Sequence, residues 1–197
     1  MEPNIDQLRK NYEQLDDQKL IQLATEKAPS LRPEALNLLK KLIKERGLPD
    51  TILAGIDAQF KEIKEVDLLE YTELIRKIPC PICNSAAEKL NATMAGTVTS
   101  FIVMTHYKKE LIIACPNCLD EQNKLAIRKS ALFGWWGFPW GIINTIQALI
   151  FNSKMKKQNR QSEANDLLND FVVERIGRIE ASRNNVEELK LIVKYIR

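Results

Sequence analysis

The sequence predicts an α+β protein that is mostly helical, with one β-hairpin near its middle. Three observations predict this fold class. Apolar residues recur at helical spacing through the first 78 residues and again from residue 163 onward. Stretches of β-branched and aromatic residues interrupt this pattern between residues 96 and 113. Two Cys-Pro-x-Cys motifs, at residues 80–83 and 115–118, bracket those stretches.

The N-terminal region, residues 1–78, is predicted to form a helical bundle. Capping and breaking residues divide it into helices, and short connections favour antiparallel neighbours. The capping and breaking residues are Asp16 or Asp17 before the second helix, Pro33 at the start and Gly47 at the end of the third, and Asp50 before the fourth. The last predicted helix runs from about Val66 to Ile78.

Each helix of this region carries an apolar stripe that must be buried against a neighbour or a partner. The stripes therefore predict the core of the bundle. They consist of Ile5, Leu8, Tyr12 and Leu15; Leu20, Ile21 and Leu23; Leu36, Leu39, Leu42 and Ile43; and Leu53, Ile56, Phe60 and Ile63.

Residues 79–130 are predicted to form a metal-binding module around the hairpin. The β-branched segments 96–104 and 111–113 predict its strands. The polar residues 105–110 predict the connection between them. His106, the only histidine, would then lie at the hairpin tip as a surface residue. The alternative interpretation is that it serves as a metal ligand.

All four cysteines of the chain belong to the two Cys-Pro-x-Cys motifs: Cys80 with Cys83, and Cys115 with Cys118. Two cysteines separated by two residues can hold one edge of a tetrahedral site. Two such pairs therefore predict one structural Zn²⁺ per chain. Four thiolates fill the coordination sphere, which leaves no open position for a catalytic water.

The layout predicts a zinc ribbon or a treble-clef-like module, because a helical pattern begins at the second cysteine pair. The spacer between the pairs, residues 84–114, is longer than the roughly 15–20 residues of a compact ribbon and leaves the subtype open. A thioredoxin-like redox pair is the alternative, but it requires a single Cys-x-x-Cys in a βαβ context, which the pattern lacks. Without a phosphate loop, paired carboxylates or a nucleophile motif, the sequence predicts a non-enzymatic protein.

Residues 131–153 form a hydrophobic segment that contains all three tryptophans. No charged residue occurs between Lys129 and Lys154, a length that could span a bilayer. Three glycines and Pro139 would interrupt a straight helix, however, and polar residues follow at positions 144–147. Basic residues at both ends favour an interfacial or re-entrant hairpin whose two ends lie at one anionic face, with the tryptophans at head-group depth.

The predicted membrane or partner contacts are aromatic and basic side chains of this segment and its C-terminal flank. They are Trp135, Trp136, Phe138, Trp140, Lys154, Lys156 and Lys157. Two alternatives remain open: the aromatic turn packs internally against the helices, or it binds a protein partner. Burial of the three tryptophans against the N- or C-terminal helices would favour a soluble adaptor over a membrane contact.

Residues 154–197 are predicted to form a basic linker and two C-terminal helices. The first helix carries Leu167, Phe171 and Ile176, and the second is capped near Asn184 or Asn185.

The two Cys-Pro-x-Cys pairs and the sequence Gly-Trp-Trp-Gly-Phe-Pro-Trp-Gly at residues 134–141 resemble a group of bacterial proteins that combine these motifs. That group has no assigned activity, so the resemblance implies zinc binding and proximity to a membrane. The helical stretch from Leu31 to Leu48 is similar to a short module found ahead of membrane segments in bacterial proteins.

Taken with composition, these patterns predict a zinc-binding protein that associates with a membrane through residues 131–153. The chain has 197 residues, 45% of them hydrophobic, and its polar N-terminus predicts a cytoplasmic protein, at the inner face of the membrane. The alternative is a soluble zinc-stapled adaptor for a protein partner. A net charge of only +3 disfavours nucleic acid as that partner.

Overall fold

A computed structural model describes residues 5–101 and 104–196 of the chain. These residues are mostly helical, with one two-stranded antiparallel sheet, which confirms the predicted α+β class. In chain order the elements are α1 (Ile5–Glu13), α2 (Asp17–Lys27), α3 (Pro33–Glu45), α4 (Thr51–Ala58), α5 (Glu65–Arg76), β1 (Asn91–Phe101), β2 (Met104–Ala114), α6 (Pro116–Phe133), α7 (Trp140–Gln158), α8 (Asp166–Glu174), α9 (Ile176–Ala181) and α10 (Val186–Lys194).

Contacts divide the chain into two units. The first contains residues up to 71 together with 171–189, and the second contains residues 72–170 together with those from 190 onward. The boundaries fall inside α5, α8 and α10. Both Cys-Pro-x-Cys motifs and the whole tryptophan segment therefore belong to the second unit.

The first unit has a helical core built largely from the predicted stripes. Asp16 caps α2 by accepting a hydrogen bond from the backbone N–H of Lys19 at 2.8 Å. Gly47 follows α3 with φ +65°, the left-handed conformation that suits glycine at a helix end. The buried cluster consists of Tyr12, Leu20, Ala24, Ala28, Leu39, Leu42, Ile43, Ile52 and Ile56.

Two details of the predicted fourth helix are wrong. Asp50 has helical backbone angles and makes no capping hydrogen bond through its side chain. Because α4 ends at Ala58, the apolar stripe stops there, and Phe60 is 54% exposed. The predicted stripe continued the helical period past the end of the helix.

The predicted C-terminal pair of helices is three helices. The stripe from Leu167 to Ile176 is divided between α8 and α9, with a break at Arg175. The predicted cap of the last helix is confirmed, because the Asn185 side chain accepts from the Glu188 backbone N–H at 3.2 Å.

The second unit is organised around the predicted hairpin, whose strands are longer than expected. The register pairs Asn91 with Ala114 at the base and Phe101 with Met104 at the far end. Helices α6 and α7 both pack on β1 and on each other. Ten residue steps at about 3.3 Å each place the two ends of the hairpin roughly 33 Å apart.

The predicted hairpin connection at residues 105–110 is wrong, because all six residues belong to β2. The described strands stop on either side of Ile102 and Val103, which lie outside the described residues although the first predicted strand included them. Residues 105–110 contain no glycine, proline or asparagine, the residues that turns favour. Their polarity reflects a strand with solvent-exposed positions, and His106 pairs with Thr99 within the ladder.

Candidate metal centre and apolar surface

The first cysteine pair lies in the loop between α5 and β1. The Asn84 backbone N–H donates to the Cys80 carbonyl at 2.8 Å, and the Cys80 N–H donates to the Ser85 carbonyl at 2.9 Å. Asn84 has φ 61°, a conformation that asparagine tolerates better than most residues and that turns the chain after Cys83. The loop thus closes tightly around the Cys80 side chain, which is fully buried.

The second pair lies at the start of α6, as predicted. Cys115 directly precedes the helix, and Pro116 occupies the first turn, where a missing N–H leaves no intrahelical bond unmade. Cys118 lies in the same turn. The Cys115 backbone N–H donates to the Cys80 sulfur at 3.4 Å, which joins the two motifs.

The four sulfur atoms lie within 4.8 Å of one another. The sulfurs of Cys83 and Cys115 are 3.7 Å apart, far beyond the disulfide bond length of about 2.05 Å. A tetrahedral ion with metal–sulfur bonds of about 2.3 Å requires sulfur–sulfur distances of about 3.8 Å. The four cysteines can therefore hold one metal ion with little movement.

In the absence of a metal ion, the surroundings of the site favour the ionised form of Cys80 and disfavour the ionised forms of Cys115 and Cys118. Burial raises the pKa of the Cys80 thiol, but the backbone N–H groups of Cys115, Cys83 and Ile82 donate to its sulfur, and the net effect lowers this pKa to about 7. Burial, together with neighbouring thiols, raises the pKa values of Cys115 and Cys118. A cation that neutralises the sulfurs would release these protons, which is how metal binding is coupled to pH at thiolate sites.

A buried arginine that the sequence analysis did not identify supports the first cysteine loop. Arg76, which is 5% exposed, ends α5. Its Nε donates to the Leu90 carbonyl at 3.2 Å, and its guanidinium pairs with Glu73 at 2.6 Å. Because Leu90 directly precedes β1, Arg76 ties together the two ends of the loop that contains Cys80. An arginine in the last turn of a helix is ordinarily exposed, so nothing in the sequence pattern marks it.

Polar side chains cover the outer edge of β1, where a third strand would otherwise pair. Asn152 on α7 binds both backbone groups of Gly96: its Nδ2 donates to the carbonyl at 2.7 Å, and its Oδ1 accepts from the N–H at 3.0 Å. Ser130 on α6 accepts from the Val98 N–H at 3.0 Å. Farther toward the base, Asn123 donates to the Met94 carbonyl at 3.4 Å and Asn165 to the Ala92 carbonyl at 2.6 Å.

These contacts explain why α6 and α7 have polar side chains on their buried faces. Asn123, Ser130 and Asn152 are all fully buried. Each forms a hydrogen bond with a backbone group on the buried edge of β1 that has no partner strand. These bonds matter because a buried backbone N–H or C=O group is costly when it is unpaired. On α7, Asn152 therefore marks the face that packs on the hairpin.

Replacing Asn152 with leucine is expected to destabilise the protein by about 2–5 kcal/mol. Leucine has a similar volume but leaves the N–H and C=O groups of Gly96 unpaired. Urea unfolding followed by circular dichroism measures the loss. The exposed neighbour supplies the control, Ser153→Ala, which should change stability by less than about 0.5 kcal/mol. A loss below about 1 kcal/mol for Asn152→Leu would contradict this role.

The turn between α6 and α7 has its glycines inside and its aromatic side chains outside. A Cβ on Gly134 would lie 2.0 Å from Thr145 Oγ1, and one on Gly137 would lie 2.6 Å from Thr105 Oγ1. The turn can approach α7 and the hairpin this closely only because these positions have no side chain. The exposed fractions of Trp135, Trp136, Phe138 and Trp140 are 42%, 71%, 85% and 65%. These side chains are thus not packed internally, contrary to that alternative.

The end of α6 satisfies two of the indole N–H groups. Trp135 Nε1 donates to the Ala131 carbonyl at 2.7 Å, and Trp136 Nε1 donates to the Leu132 carbonyl at 3.4 Å. Carbonyls in the last turn of a helix lack intrahelical partners. The bonds therefore pair both groups, and these two rings have no unpaired N–H facing outward.

The exposed aromatic turn continues onto α7, within the predicted segment, and onto the far end of the hairpin, which lies outside that segment. Phe101 and Met104, at the far end of the hairpin, are 76% and 71% exposed. We call the combined feature the apolar surface. It consists of Phe101, Met104, Leu132, Phe133, Trp135, Trp136, Phe138, Trp140, Ile142, Ile143, Ile146 and Ile150. The pairing of Phe101 with Met104 is visible only once the hairpin register is known.

Basic side chains follow the apolar stretch of α7. Lys154 and Lys157 are exposed and Lys156 is half-buried. From β2, the ammonium group of Lys109 lies 4.7 Å from the centre of the Phe151 ring. Lys109 is thus a further cation next to Ile150, where the apolar part of α7 ends. Within the described residues, no helix combines the length and the hydropathy that crossing a membrane requires.

Comparison with known proteins does not place the chain in a family. No protein-family model matches it, and no curated protein or solved structure is significantly similar to it. The resemblance to bacterial proteins with paired Cys-Pro-x-Cys motifs therefore stays a prediction.

Proposed function

We propose that the chain is a non-enzymatic zinc-binding protein that attaches to one face of a membrane by inserting its apolar surface. The observation that supports this most directly is the continuity of that surface across the hairpin end, the α6–α7 turn and α7. Soluble monomers rarely expose a contiguous apolar patch larger than a few hundred Å². Large patches of this kind mark membrane or protein contacts.

The length of the apolar stretch fits insertion into one leaflet. Trp140 and Ile150 are ten residues apart on α7, about 15 Å at 1.5 Å per residue. The hydrocarbon core of a bilayer is about 30 Å thick, so one leaflet is about 15 Å. With α7 along the bilayer normal, the aromatic turn would then lie near the middle of the bilayer, deeper than the head-group level that the sequence predicts.

The distribution of charge fits the same depth. Lys109 and Lys154 lie just beyond Ile150, at the level where anionic head groups would be. Arg128 and Lys129 on α6 lie closer to the turn, about 6–8 Å before Phe133 along the helix. Insertion would therefore have to be tilted, so that the end of α6 enters less deeply than Trp140, and both side chains would extend to the head groups along their aliphatic stems.

Backbone hydrogen bonding also suits a low-polarity environment. An unpaired strand edge is not tolerated in hydrocarbon, where no water can pair its N–H and C=O groups. Near the apolar surface, Asn152 pairs both backbone groups of Gly96, and Ser130 pairs the Val98 N–H. These three groups on the outer edge of β1 would therefore remain paired next to hydrocarbon.

The zinc ion would stabilise the opposite end of the hairpin. Cys80 and Cys83 precede β1, and Cys115 and Cys118 follow β2 at the start of α6. An ion bound to all four would join the ends of both strands and the first turn of α6. This role is structural, because four thiolates leave no open coordination position.

Vesicle flotation of the full-length protein tests the membrane proposal. We expect it to float with phosphatidylcholine vesicles that contain phosphatidylserine, and less with phosphatidylcholine alone. High salt should remove the difference between the two, because it screens the basic residues. A protein that stays monomeric and binds neither kind of vesicle would contradict the proposal and favour the adaptor alternative.

A further inference from the structure

An apolar pocket opens within the apolar surface, between the far end of β1 and the α6–α7 turn. Its volume is about 370 Å³, and it is lined by Thr99, Ser100, Phe101, Phe133 and Trp136. Ligand pockets in proteins generally measure about 300–1,000 Å³. The pocket is therefore large enough for part of a small apolar molecule.

The pocket wall is almost entirely carbon and includes no charged residue. The Ser100 hydroxyl donates to Thr105 Oγ1 at 3.1 Å. The Trp136 indole N–H already donates to the Leu132 carbonyl. A ligand with polar groups would lose its hydrogen bonds to water on entering without gaining replacements, which is unfavourable.

We infer that this pocket takes the end of one acyl chain from a membrane lipid, an inference that rests on the proposed membrane attachment. Phe101 and Trp136 belong both to the pocket wall and to the exposed apolar surface, so the pocket opens onto the region that would meet lipid. The acyl chains of one leaflet end at the depth proposed for the turn. With Lys109 and Lys154 at head-group level, a lipid beside α7 reaches the pocket with its chain.

An acyl chain fits this wall better than a peptide does. A peptide segment carries backbone N–H and C=O groups that need partners when buried. The two polar side chains of the pocket, Thr99 and Ser100, provide almost none of its surface. A hydrocarbon chain needs no such partners.

Uncharged n-alkanols in vesicle-free buffer test the pocket separately from the membrane. Trp135→Phe with Trp140→Phe leaves Trp136 as the only tryptophan, so its fluorescence reports binding at the wall. We expect affinity to rise about fourfold for each added methylene group. Thr99→Phe should fill the pocket and weaken binding by about tenfold or more.

Thr97→Phe is the matched control. Thr97 lies two residues away on the same face of β1, is also half-buried, and does not line the pocket. It should bind alkanols as the parent protein does. Affinity that does not depend on chain length, or that is equal in the Thr99 and Thr97 variants, would overturn the inference.

Vesicles that contain a phospholipid with a photoreactive acyl chain test the source of the ligand. We expect labelling of the pocket residues and of Phe138, which is exposed outside the pocket. Thr99→Phe should remove the pocket labels and retain the Phe138 label. Labelling at Phe138 alone in the parent protein would overturn the pocket and leave membrane attachment intact. Alkanol binding without vesicle binding would refute the attachment and the lipid source together.

Discussion

Replacing Cys80 with serine is expected to abolish metal binding and to unfold the unit that contains the hairpin. Cys80 is fully buried, and its sulfur accepts backbone hydrogen bonds from both cysteine motifs. Structural zinc contributes about 10–16 kcal/mol in small zinc domains, which is as large as the whole stability of a typical domain, about 5–15 kcal/mol. Metal analysis of the purified protein and its ¹H–¹⁵N NMR spectrum would measure the two effects. The wild-type protein should contain one zinc ion per chain.

Cys83→Ser provides a graded comparison at the same site. Cys83 is exposed, so water can reach the vacated coordination position. We expect weaker zinc binding with a retained fold, and faster loss of the ion to a chelator. Ser85→Ala, in the same loop but outside the sulfur cluster, should behave as wild type. Full zinc content and wild-type stability in Cys80→Ser would contradict a role for this cysteine as a ligand.

The cysteine site was largely predictable from the sequence because its information is local. Each Cys-Pro-x-Cys motif determines a short turn, and Pro116 marks the start of α6 in the sequence itself. What could not be predicted was the support from Arg76, whose partners Leu90 and Ser162 are distant in the chain. Its burial depends on how the cysteine loop folds back.

The hairpin shows where a local sequence pattern gave a wrong prediction. Residues 105–110 are polar, and polarity between two apolar segments predicts a connection. In the structure these residues are half-buried or exposed positions of β2, and the partner strand β1 is the more buried of the two. Burial on one side of a strand is set by the neighbouring helices, which the local sequence does not specify.

The segment that forms α7 shows the same dependence on distant partners. Its polar residues 144–147 argue against a straight membrane-spanning helix, and that argument uses the segment alone. The role of Asn152 could not be predicted in this way, because its partner, Gly96, lies 56 positions away in the chain. The tryptophans were identified from composition, whereas Phe101 and Met104 joined them only through the strand register.

Replacing Phe138 and Trp140 with glutamate is expected to reduce partitioning into anionic vesicles by about a thousandfold or more. Burying an aromatic side chain in an apolar environment contributes about 2–3 kcal/mol. A carboxylate at the same depth adds a cost of similar size. The lost burial and the cost of the carboxylates together reduce the free energy of partitioning by more than about 4 kcal/mol. Each 1.4 kcal/mol corresponds to about a tenfold change in affinity. Sedimentation of the protein with increasing amounts of lipid measures the partition coefficient.

The matched control places the same two charges on a different exposed apolar site. Val66 and Leu69 on α5 are 76% and 58% exposed and lie outside the apolar surface. Val66→Glu with Leu69→Glu therefore matches the number of apolar side chains removed and the change in net charge. It should lose only the electrostatic part of the affinity, which high salt suppresses in any case. An equal loss in both double variants at high salt would contradict insertion through the apolar surface.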